Sequence, residues 1–236
     1  MPTKVVELGY LAYPRSGPSP GVVMIHDVWG LSDHTRDLAR RLAGEGFSVL
    51  AVDLYRRETE VKIENPGVWM RDLSDPQVLE DLQAATDFLA GHASVSERVG
   101  ITGFCMGGMY AILAACTCTG LSGSVAYYGL LSHEHGLLHG DSGPDRTLKP
   151  RQPLDAVADL ASPLLAFFGD QDEFVPMSDI ETLQKRLRDA PKPGEVVVYP
   201  GCGHAFMNDT REDAYRPETA EVAWNAMLAF FRDTLG

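Results

Sequence analysis

Apolar residues along this chain gather in short, nearly unbroken runs: GVVMIH (21–26), FSVLAVD (47–53), RVGITGF (98–104), GSVAYYG (123–129), PLLAFFG (163–169) and EVVVYPG (195–201). Strands covered on both faces of a parallel sheet have this pattern, because neither face needs polar residues. An earlier stretch, VVELGYLAYP, is expected to add antiparallel strands at one edge. Between the runs the apolar spacing becomes helical. Asp33 is expected to cap DHTRDLARRLAGEG, which places Leu38 and Leu42 on one face. Asp75 followed by Pro76 reads as an N-cap and first-turn proline for a helix through Leu89. From Pro217, a stripe of Ala220, Ala223, Trp224, Met227, Leu228 and Phe231 forms a face to bury. This alternation over 236 residues predicts one α/β domain, a mostly parallel doubly wound sheet with helices on both faces.

One segment breaks the pattern. Residues 130–161, LLSHEHGLLHGDSGPDRTLKPRQPLDAVADLA, show no amphipathic helix before Leu154. A connection this long reads either as a lid or as a solvated surface excursion.

Composition narrows the partners. The chain is 44% hydrophobic, enough for a full core, and carries a net charge of −13. Such an acidic surface repels phosphate backbones and anionic lipid, so neither nucleic acid nor membrane is an expected partner. MPTKVVELGY lacks the apolar core of a secretion signal, and no apolar run is long enough to span a bilayer. The four cysteines (Cys105, Cys116, Cys118, Cys202) do not make a disulfide scaffold, so the expected location is cytoplasmic, with reduced thiols.

The candidate chemistry begins at GFCMGG (103–108), between an apolar strand and the helical stretch MYAILAAC. With Ser in place of Cys105 this would be the Gly-x-Ser-x-Gly elbow, the sharp strand-to-helix turn that presents a nucleophile. Gly103 and Gly107 flank the thiol, where side chains would collide with the neighbouring strand and helix. The helix N-terminus behind it favours a thiolate and an oxyanion. A nucleophile needs a base, and the base needs an orienting acid. FFGDQDEFVP offers Asp170 and Asp172, and YPGCGHAF offers His204, each just past an apolar run. Functional groups of open α/β sheets collect at such carboxyl ends of strands. HDVWGL (26–31) follows the first run and suits the second oxyanion donor, which assigns that role to the N–H groups of Val28 and Met106.

Taken together, HDVWGLSDHTRDLARRLAGEGFSVLAVDLY, VGITGFCMGGMYAILAA, AYYG, FFGDQDEFVP and YPGCGHAF resemble the dienelactone hydrolase (carboxymethylenebutenolidase) family, a cysteine branch of the α/β-hydrolases, from about residue 21 to 208. The resemblance implies an α/β-hydrolase fold. It also implies that Cys105 is the nucleophile, His204 the base and Asp172, rather than Asp170, the acid. The implied activity is cleavage of a small-molecule ester or lactone through an acyl-cysteine, without metal or cofactor. The thiol is expected to rest neutral until substrate arrives.

The sequence also departs from the family. Where the family has a glutamate beside the resting thiol, this chain has Asp27, one methylene shorter, which either serves the thiol or caps its own turn. The family arginine four residues past the histidine is Asn208 here, and no second arginine falls at a matching position; Arg57 and Arg71 are the substitutes at hand. Trp29, Tyr128, Phe206 and Asn208 are the candidate substrate-binding residues, with Trp69 and Tyr127 as weaker aromatic candidates. Cys202, two residues before His204, is either a packing thiol or a redox partner of Cys105. Cys116 and Cys118 read as core, and His133, His135 and His139 as loop histidines with no metal-site spacing. The rival readings are a broad arylesterase or thioesterase with side activity on activated phosphotriesters, a non-catalytic binding module, and a thiol-redox protein.

Overall fold

The computed structural model describes the backbone of residues 1–236 and the side chains of 1–96 and 98–236. Its centre is an eight-stranded sheet. The strands are β1 (Thr3–Val6), β2 (Gly9–Ala12), β3 (Ser19–Ile25), β4 (Ser48–Val52), β5 (Val95–Phe104), β6 (Leu121–Tyr127), β7 (Leu164–Gly169) and β8 (Gly194–Tyr199), in spatial order β1-β2-β4-β3-β5-β6-β7-β8. At one edge β2 pairs antiparallel with both β1 and β4, and all the other pairings are parallel. Each predicted run is a strand, offset by up to three residues.

Alternate residues of each strand feed two separate cores. Val23 and Ile25 of β3 join one cluster, while Val22 and Met24 join the other. The first cluster takes apolar residues from α3 (Asp75–Ala90), α4 (Met106–Thr117) and α6 (Met177–Leu187); the second takes them from α1 (Asp33–Gly44) and α7 (Pro217–Leu235). In α7 the predicted stripe is buried except for Trp224, which is partly exposed. A short α2 (Pro66–Asp72), capped by Asn65, was not anticipated. No helix among the described residues is long and apolar enough to cross a membrane.

Both predicted caps are one residue out. Ser32 caps α1, accepting from the Thr35 N–H at 3.3 Å, and Ser74 caps α3, accepting from the Gln77 N–H at 3.4 Å. Asp33 and Asp75 take the first helical position instead, where an acid still opposes the positive end of the helix dipole.

Asp75 is drawn away from capping by a buried polar cluster. Its Oδ1 accepts from Lys149 Nζ at 2.6 Å and from the Tyr110 hydroxyl at 2.8 Å, and Lys149 is only 1% exposed. Lys149 belongs to the long segment after β6, which is therefore not a loose excursion. Leu130, Leu131, Leu138, Leu154, Val157 and Leu160 of that segment pack into the first core, and it includes the short helix α5 (Pro153–Ala156). His133 is fully buried with both ring nitrogens unpartnered, and burial pulls it down to about 4, so it is a neutral core residue rather than a loop histidine. His135 meets Asp179 at 3.2 Å, and His139 Nδ1 contacts the Gly140 carbonyl at 2.8 Å.

Candidate active site

Cys105 sits between β5 and α4 with φ of 56°. The turn closes so tightly that a Cβ on Gly103 would lie 2.0 Å from the Gly107 carbonyl oxygen. One on Gly107 would lie 2.5 Å from that of Ile25. Only hydrogen fits at either place, so both glycines are dictated by backbone against backbone. Among the described residues, the non-glycine positions with positive φ are Cys105, Tyr128 (40°) and Ala205 (62°), and all three line one recess. Strained backbone concentrated at one place marks a site that the surrounding fold holds in shape.

His204 follows β8 and reaches back over this recess. Its Nδ1 lies 2.8 Å from Asp172 Oδ2, and the other carboxylate oxygen accepts from the Phe174 and Val175 N–H groups at 2.9 and 3.2 Å. A carboxylate only accepts, so it fixes the proton on Nδ1 and turns Nε2 toward the recess. Burial lowers the affinity of the imidazole for a proton. The Cys105 sulfur and Asp172 outweigh that and push His204 up to about 10. Tyr128 and Phe174 flank the ring edge-on, each 5.0 Å away. Asp170 does a different job, accepting from the Gly201 N–H at 2.7 Å to tie together the two loops that bear Asp172 and His204.

The opposite wall is the loop after β3. His26 is fully buried; its Nε2 accepts from the Leu54 N–H at 3.2 Å, so its Nδ1–H donates to the Asp27 carbonyl. The Tyr55 hydroxyl donates to the Val28 carbonyl at 2.8 Å and lies 3.5 Å from Met106 Sδ. These bonds clamp the peptide units on either side of Val28 and join them to the elbow. His26 and Tyr55 were missed from sequence because both look like ordinary core residues there.

The predicted substrate-binding residues divide. Trp29, Tyr128 and Asn208 line the recess, Trp29 at its rim and 53% exposed. Phe206 does not; it is fully buried behind the recess, between Tyr128 and Tyr199, because the rings on that side complete the second core. Asp27 also lines the recess, and its recorded hydrogen bond is to the Trp29 N–H at 2.9 Å, as a turn cap. Burial raises its carboxyl above the usual range, opposed by that N–H and by His26, His34 and His204. Neither arginine suggested by the sequence enters. Arg57 pairs with Asp81 at 2.5 Å, and Arg71 donates to the Leu137 carbonyl at 2.7 Å. The cation at the recess is Arg211, seven residues past His204, already paired with Asp213 at 2.9 Å. Cys202 is buried, with its thiol 3.4 Å from Thr219 Oγ1, and all four cysteines are free. None of the residues lining the recess comes from 130–161.

A profile of the dienelactone hydrolase family matches residues 8–235. The chain is 38% identical over 230 residues to a Bradyrhizobium sp. protein named "Probable 2-oxo-3-(5-oxofuran-2-ylidene)propanoate lactonase", covering 95% of this chain and 88% of that one. It is 35% identical over 231 residues to a "Putative carboxymethylenebutenolidase" of Escherichia coli (strain K12), covering 94% and 81%. The crystal structure of a "Putative Dienelactone Hydrolase" from Klebsiella pneumoniae superposes with a TM-score of 0.84 at 35% identity, covering 94% of this chain and 91% of that one. With the strand order above, that likeness identifies the architecture as an α/β-hydrolase fold.

Proposed function

The chain belongs to the dienelactone hydrolase family, and we propose that it cleaves lactones or activated esters with Cys105 as nucleophile, through an acyl-cysteine. One observation carries this reading. A thiol on a strained elbow shares a recess with an imidazole whose far nitrogen is held by a buried carboxylate.

In this reading His204, held by Asp172, takes the thiol proton of Cys105. The thiolate attacks the carbonyl carbon. The developing oxyanion is received by the Val28 and Met106 N–H groups, each worth roughly 3 kcal/mol in such a role. His204 gives its Nε2 proton to the leaving alkoxide, then takes a proton from the water that attacks the thioester. Asp172 holds the tautomer and supports the imidazolium. A thiolate is itself a good leaving group, so acyl transfer is productive only when the alcohol leaves more easily. Enol-lactones and aryl esters fit that condition and amides do not.

Arg211 supports a second substrate reading, an acyl group that bears a carboxylate, like the propanoate in the name of the Bradyrhizobium relative. Such a substrate must compete with Asp213 for the guanidinium, so the neutral ester or lactone is the primary assignment.

The test is hydrolysis of two 4-nitrophenyl esters, butyrate and the succinate half-ester, by wild type and Cys105→Ala. Turnover by wild type with loss in the variant is the expected result. Intact-mass detection of an acyl group on quenched wild type accompanies it. Equal activity in both proteins would remove Cys105 from the chemistry. The ratio between the two esters, with and without Arg211→Ala, reports whether the guanidinium serves the acyl group.

A further inference from the structure

Leu38 stands between two spaces of very different size. It lies on α1, is 3% exposed, and lines both the recess of Cys105 and a groove between α1 and α7. The turn at 205–211 completes the partition: Ala205 and Asn208 line the recess, and Met207 lines the groove. The recess offers about 40 Å³. That is room for on the order of three water molecules, or for a chain of about three carbon atoms. The groove offers about 570 Å³.

The groove also accounts for Trp224. That residue belongs to the apolar stripe of α7 yet stays partly exposed, and it lines the groove with Met207, Tyr215 and Ala220. During turnover the acyl chain is bonded to Cys105 and must be housed beside it. An aryl leaving group is larger than the recess, so it stays on the solvent side, where Trp29 forms the rim, and the acyl chain takes the recess. Resting on the hydrolase reading, we propose that Leu38 is a specificity-determining residue: its side chain closes the recess against the α1–α7 groove and restricts the substrate to a short acyl group. With a smaller side chain at this position the two spaces join, and the groove receives a longer chain.

The test measures kcat/KM for 4-nitrophenyl butyrate and octanoate with wild type, Leu38→Ala, Trp224→Glu and the double variant. Each methylene that a pocket admits or refuses changes kcat/KM by about tenfold or more. Wild type is therefore expected to favour butyrate by at least about tenfold, and Leu38→Ala to raise the octanoate-to-butyrate ratio by a similar factor. The ratio is read because loosened packing around the site slows both esters alike. Trp224→Glu should leave the wild-type ratio unchanged. Added to Leu38→Ala it should cancel most of the gain, since the longer chain then meets a carboxylate in the groove. Leu38 belongs to the second core, so Leu38→Val, a smaller truncation, accompanies Leu38→Ala and should move the ratio the same way by less. Far-UV circular dichroism establishes which variants are folded, and Leu38→Val decides alone if Leu38→Ala is not. Equal turnover of the two esters by wild type would overturn the proposal, as would an unchanged ratio in the folded Leu38 variants. A fall in the wild-type ratio on Trp224→Glu would overturn it too, because the chain would already occupy the groove. A gain in Leu38→Ala that survives Trp224→Glu would overturn the groove as the route. No turnover of either ester by wild type is a different failure, which removes the hydrolase reading and this proposal with it.

Discussion

Replacing Lys149 by methionine tests how the long segment after β6 is held. The substitution is nearly isosteric but leaves the Asp75 carboxylate buried, with one donor, the Tyr110 hydroxyl at 2.8 Å. Its second oxygen already has no partner. Removing one member of a fully desolvated ion pair costs about 3–5 kcal/mol, because the remaining charge loses its compensation. At about 2 °C per kcal/mol for a chain of this size, Tm should drop roughly 6–10 °C. Urea unfolding followed by far-UV circular dichroism measures the same loss directly. The double variant Lys149→Met/Asp75→Asn removes the stranded charge and should recover at least half of it. A loss below about 1 kcal/mol in the single variant, or a double variant no better than the single, would refute an ion pair that is dry and interdependent.

Four further outcomes concern the site and its frame. Asp172→Asn should cut kcat by about 10³–10⁴-fold with little change in KM, since the amide can present its N–H to His204 Nδ1 and favour the wrong tautomer; steady-state kinetics measures it. Tyr55→Phe frees the Val28 carbonyl and should lower kcat several-fold more than it changes KM, at a stability cost of about 1 kcal/mol; kinetics and urea melts together check both halves. Because His204 is raised from 6.5 to about 10 on folding, its contribution to stability is complete below pH 6.5 and is lost as pH rises through 10. Wild-type stability should therefore fall over that window in urea melts at stepped pH, and fall less in Asp172→Asn, which lacks the carboxylate's share of the shift. Gly107→Ala puts a methyl 2.5 Å from the Ile25 carbonyl oxygen and should abolish activity, with insoluble or markedly destabilised protein on expression.

The order and type of the main strands and helices could be read from the chain because both faces of the sheet are covered. Short apolar runs such as PLLAFFG, closed by Pro and Gly, suit strands buried on both faces. The meeting of Cys105, Asp172 and His204 could be anticipated for a related reason, as each lies just past such a run and the parallel sheet brings those ends together. What stayed hidden was decided by tertiary partners. Asp75 reads as a cap until Lys149, 74 residues away, claims its carboxylate. His133 reads as a loop histidine until the segment around it folds onto α4. Phe206 reads as a pocket aromatic until its ring is found completing the second core. His34 and Arg211 gave no signal because neither occupies a position that the elbow motif defines. The turn at 205–211 delivers Arg211 to the recess and Asp209 to His34.

The three left-handed residues at the recess have a consequence for how the protein responds to selection. Cys105, Tyr128 and Ala205 hold conformations that cost side-chain-bearing residues free energy, and the rest of the fold carries that cost. The chain is thus less heat-resistant than its own topology allows, and the deficit is concentrated at the recess. A search for thermostable variants scored on melting temperature alone would find some of its easiest gains by relaxing these positions. It would return proteins that survive heat and no longer turn over substrate.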